Sequence, residues 1–152
     1  MTGPATYLDP AAVSGRGRRT LTALAGPAAN LLLAVLLAAA ISTLMGPDAV
    51  TDNWVLGGLM YLCYLNLAAA LINLLPVPGL DGFGALAPYL PERIARHAHS
   101  SGLFGVIAVF AVLWFPPVNL AFINLMFGAF SLVGLSQVDI GYGLVLFRFW
   151  GF

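Results

Sequence analysis

Lysine is absent from this sequence, glutamate occurs once (Glu92), and charged residues of every kind fill only 8% of its 152 positions. A soluble domain covers itself with roughly 25% charged residues, so an ordinary water-facing globule is excluded. The formal net charge is zero, which removes any global electrostatic argument for a nucleic acid partner. A single cysteine, Cys63, excludes an intrachain disulfide. Within its apolar run it reads as a small side chain that is buried or faces lipid. What the chain has in abundance is apolar residues, 61% of the total, with a mean hydropathy of +0.94. The lipid bilayer is the solvent, and the first partner, that such a chain implies.

Residues 1–20 are polar and turn-rich, with Arg16, Arg18 and Arg19 near their end. An apolar run over 21–45 follows, long enough to cross a hydrocarbon core of about 30 Å. Arginines before a small-residue run also fit a secretory signal. This run, however, is longer than a signal core, and Asn30 interrupts it. A short loop carrying Asp48 and Asp52 leads into a second run over 54–75. That run meets Pro76, Pro78 and Gly79, which a continuous helix cannot pass without losing backbone hydrogen bonds. Past the break, a shorter apolar piece runs to residue 90. Two further apolar stretches, 101–115 and 118–135, flank Pro116 and Pro117. The first of these is short for a full span.

The sequence therefore predicts an all-α membrane protein with about four transmembrane helices, the second broken at residues 76–79. Residues 1–20 form a cytoplasmic N-terminal segment and 21–137 the transmembrane domain. Residues 138–152, aromatic and carrying Arg148 and Trp150, form an interfacial tail. Four crossings put all six arginines on one face and the Asp48–Asp52 loop on the other. The positive-inside rule makes the arginine face cytoplasmic, as expected of a protein in a bacterial plasma membrane.

Asp81 carries the most chemistry. An ionisable side chain at membrane depth costs several kcal/mol, so it usually faces a cavity, a partner or a metal. Non-helical backbone at that depth is tolerated only where its polar groups are satisfied. The break before Asp81 is such a place. Asn73, at the end of the second run, adds an amide able to bond freed carbonyls or a bound peptide. The alternative is that Asp81 simply caps the short helix that follows. A second cluster is Gly26, Pro27 and Asn30. In lipid, Asn30 seeks an interhelical hydrogen bond, which helix packing alone also explains. His97 and His99 are two apart, so on a helix they point to different faces. They sit beside Arg93 and Arg96, where a solvated loop suits them better than a cation.

The motif AGPAAN at 25–30, followed by NLLPVPGLDG at 73–82 on the next span, resembles the site-2 protease family of intramembrane zinc metalloproteases. The resemblance covers roughly residues 5–135. It implies zinc as cofactor, with Asp81 as a ligand, and a transmembrane protein or peptide as substrate. It implies substrate-orienting roles for Asn73 and Asn30, and makes Gly26, Pro27, Pro76, Pro78 and Gly82 motif residues that shape the site. In that family a separate helix bearing H-E-x-x-H supplies two histidine ligands and a glutamate base. No H-E-x-x-H occurs in these 152 residues, so no catalytic residue is assigned here. A catalytic zinc takes three protein ligands and a water. The resemblance therefore implies a partner segment carrying H-E-x-x-H, and these residues alone are expected to be inactive.

Three readings remain open. The chain is the C-terminal portion of a site-2-type metallopeptidase, or a non-catalytic homologue that binds or regulates transmembrane helices. The third, a small transporter, rests on a broken helix with a buried carboxylate. The sequence shows neither an internal repeat nor a second intramembrane charge to support it.

Overall fold

The computed structural model describes residues 15–45, 53–95, 101–133, 135 and 137–147. His97, His99, Arg96, Arg148, Asp48 and Asp52 lie outside them. Among the described residues the bounded helices are α1 (Arg16–Met45), α2 (Trp54–Asn73), α3 (Asp81–Leu86), α4 (Gly102–Trp114), α5 (Pro116–Ser131) and α6 (Gln137–Phe147), and residues 92–95 are helical as well. A single 3₁₀ turn, Ala87–Tyr89, follows α3. No strand occurs among the described residues.

Leucine and alanine, both strong helix formers, dominate α1 and carry it through Pro27 without a stop. Its 30 residues measure about 45 Å, more than a bilayer core requires. The helix starts earlier than the apolar run, so Arg16, Arg18 and Arg19 lie in its first turn. Asn53 starts α2: its Oδ1 accepts from the backbone N–H of Val55 at 2.9 Å and of Leu56 at 3.3 Å. That bond satisfies donors which a helix N-terminus otherwise leaves unpaired.

The core forms where α1, α2 and α5 meet. Ile41, Met60, Cys63 and Met126 are its fully buried side chains. Cys63 donates from Sγ to the Ala34 carbonyl at 3.2 Å, so the buried reading of that residue holds. Helix α6 packs on α2 through bare backbone: a Cβ at Gly143 would overlap the Gly57 carbonyl. Residues 137–147 are thus helical and docked, in the stretch expected to form an interfacial tail. Elsewhere the outer surface is apolar, with Leu21, Trp114 and Leu132 among its most exposed side chains.

Two helices, α1 and α2, are long and apolar enough to cross a membrane, and counting α4 and α5 as one bent span makes three. The expected four crossings are not reproduced among the described residues. The reason lies at Phe115. The residue before a proline is driven from α toward extended backbone, and Phe115 adopts φ −71° and ψ 121°. Helix α4 therefore ends there. Pro116 and Pro117 then open α5, a position where their missing N–H costs nothing. The two helices meet at 88°. With 13 and 16 residues, each falls short of the ~20 a separate crossing needs.

Candidate functional site

Helix α2 stops at Asn73, as the prolines require, and the chain turns over before α3 begins at Asp81. The turn pairs most of its own N–H groups. Leu75 N–H donates to Ile72 O at 3.1 Å, Val77 N–H to Leu75 O at 2.8 Å, and Leu80 N–H to Val77 O at 3.0 Å. Pro76 and Pro78 have no N–H to satisfy. An irregular segment can sit at membrane depth only with such internal pairing.

Two glycines lock this turn. Gly79 has φ +95°, a region that side chains other than glycine's occupy at a cost, and a Cβ there would overlap the Gly102 carbonyl on α4. Gly82 is buried, and a Cβ on it would overlap the Leu74 carbonyl and lie 2.6 Å from that of Leu75. The start of α3 is thus pressed directly onto the end of α2. Gly105 continues the seam, its Cα facing the Pro78 carbonyl. The pair Gly102 and Gly105, one helical turn apart, was the available sequence signal for this contact. It carried no meaning until the break was seen to rest on it.

Asp81 is the first residue of α3, after the cap position Leu80, and no side-chain bond caps that helix. The carboxylate is therefore not spent on capping. It is half-buried and points across to α1, where a Cβ built on Gly26 would lie 3.1 Å from Asp81 Oδ2. The same pair of helices is joined by Thr20, whose Oγ1 donates to Ala85 O at 3.0 Å, and by Gly84 beside Ala23. Residues 20, 23 and 26 follow the three-residue spacing of one helix face. The two motifs, separate in sequence, therefore meet in space. Gly26 is an interior position of α1.

Asn30 lies one turn beyond Gly26, and Asn73 closes α2; both are half-buried. Among the described residues neither side chain, nor that of Asp81, makes a hydrogen bond. Unpaired polar groups inside a membrane protein are costly, and among the described residues these three have no hydrogen-bond partner. Asp81 fits a metal as one oxygen ligand. A complete set does not follow: no group of three histidine, cysteine, aspartate or glutamate side chains able to hold a metal occurs among the described residues.

The chain is 40% identical over 134 residues to Rip2 of Mycobacterium tuberculosis, covering 88% of this chain and 50% of that protein. To Rip2 of Mycolicibacterium smegmatis it is 37% identical over 148 residues, covering 97% and 56%. To YwhC of Bacillus subtilis it is 31% identical over 113 residues, covering 65% and 47%. All three are named as candidate zinc metalloproteases. The chain spans about half the length of these curated relatives. No family model matches it, and no solved structure does.

Proposed function

Starting from the chain's membership of the site-2 protease family, which its homology to zinc metalloproteases supports, we propose that it forms the aspartate-bearing part of an intramembrane zinc metallopeptidase. Its substrates are transmembrane proteins or peptides. Asp81 contributes one zinc ligand, and a segment bearing H-E-x-x-H contributes the two histidines and the glutamate. Zinc in such a site supplies Lewis acidity and a water of lowered pKa. The residues described here hold an oxygen ligand in place and offer Asn30 and Asn73 to an unwound substrate backbone. The segments bearing Arg16, Arg18, Arg19 and Arg93, separated by the two crossings α1 and α2, lie on the cytoplasmic face of the plasma membrane. The observation that carries this reading is the meeting of Gly26 and Asp81 Oδ2 across the proline break.

A second reading is a non-catalytic homologue that binds or regulates transmembrane helices. Metal analysis of the purified full-length gene product separates the two. The protease reading expects one zinc per chain, lost in Asp81→Ala. Zinc-free protein that still captures transmembrane peptides would establish the second reading instead.

A further inference from the structure

We infer that Gly26 is a positioning residue for the Asp81 carboxylate, its bare Cα on α1 leaving the slot in which Oδ2 lies. Glycine inside a helix is disfavoured relative to alanine, because it loses more backbone freedom on folding. A glycine kept ten residues into α1 therefore calls for a local reason. Close packing of the two helices does not supply one. Gly26 is exposed, and apart from its chain neighbours and its own helix's nearby backbone, the one atom of the described residues within 4 Å of a Cβ there is Asp81 Oδ2.

The neighbouring position shows what ordinary packing looks like at this interface. A Cβ on Gly84 of α3 would meet the Ala23 Cβ of α1 at 3.4 Å, normal van der Waals contact, so the interface admits a methyl group there. At Gly26 the same methyl would press on the carboxylate at 3.1 Å. The backbone of Asp81 cannot retreat, because Gly82 is already seated against the Leu74 and Leu75 carbonyls. The carboxylate is a side-chain end, free to rotate. An alanine at 26 therefore turns the carboxylate aside and leaves the fold standing. What changes is the direction in which Asp81 offers its oxygen.

This inference rests on the proposed metal role of Asp81 for its consequence, though not for its geometry, and the test separates the two. In the full-length gene product, zinc affinity is measured by competition with a chromophoric chelator. Gly26→Ala is expected to weaken zinc about tenfold to a hundredfold, the range seen when a group that orients a metal ligand is lost. Its thermal midpoint does not fall below the parent protein's. Gly84→Ala is expected to leave the affinity unchanged and not to lower the midpoint. A role for Gly26 in packing alone would lower the midpoint and spare the affinity.

A double-mutant cycle on unfolding in detergent reads the geometry without metal. Gly26→Val is expected to shift the folding equilibrium toward the unfolded state at least about threefold more with Asp81 present than in an Asp81→Ala background. Equal shifts in the two backgrounds, or unchanged zinc affinity in Gly26→Ala where Asp81→Ala abolishes binding, would overturn the inference. Unchanged zinc affinity in Asp81→Ala itself would sink the metal role, while the cycle still decides the role of Gly26.

Discussion

Asp81→Asn in the full-length gene product is expected to cut cleavage of a transmembrane reporter at least about a hundredfold and to leave the helices folded. The two halves of that expectation have separate grounds. Asparagine matches aspartate in shape, so the contact with Gly26 survives, and no hydrogen bond among the described residues is lost with the charge. Nothing in α3 depends on the carboxylate as a cap, because its cap position is Leu80 and no side-chain bond forms there. A metal site deprived of its one anionic ligand is affected differently. The neutral amide is a weaker donor to zinc and offsets none of its charge. Reporter cleavage in membranes, with circular dichroism of the purified variant as the folding check, reads both halves. Retained cleavage would remove Asp81 from the metal site, and lost helicity would make it a structural residue.

Gly82→Val is expected to destabilise the protein by about 3 kcal/mol or more, the upper range of overpacking. Its Cβ would meet two backbone carbonyls, those of Leu74 and Leu75. Neither can swing away as a flexible side chain does. Relief requires α3 to separate from α2, which pulls Asp81 from α1 and loosens the seam that Pro78 and Gly79 form with Gly105 and Gly102 of α4. Gly128→Ala provides the contrast. A Cβ there meets no atom of the described residues within 4 Å, and alanine favours the helix by up to about 1 kcal/mol. Denaturant titration in micelles compares the two. Equal stability of Gly82→Val and the parent protein would show that the close approach of α3 to α2 is absent.

Asp81 and the break before it were legible in the sequence because both signals are local. Two prolines and a glycine end any helix, and a carboxylate in a chain with 8% charged residues stands out wherever it lies. The bend at Phe115 was half legible. Pro116 and Pro117 marked the interruption, but spacing alone does not set an interhelical angle, so one bent pair was read as two spans. The contact between Gly26 and Asp81 was not legible from either position. Residue resemblance linked the two motifs by family, but it is the folding of α3 back along α1, at Thr20, Ala23 and Gly26, that makes them neighbours. The seam of Gly79 with Gly102 was hidden for the same reason. Glycine has no side chain to advertise a partner, and its role appears only when the opposing backbone is in place.

The most direct test of this arrangement is thiol cross-linking in native membranes. Cysteines are placed at Gly26 and Asp81 in a Cys63→Ala background, bridged with a short bifunctional reagent, and read by mass spectrometry of the linked peptides. The structure calls for efficient linkage of positions 26 and 81, comparable to a Thr20→Cys and Ala85→Cys pair, and none between positions 26 and 132. Linkage of the 20–85 pair without linkage of 26 to 81 would contradict it.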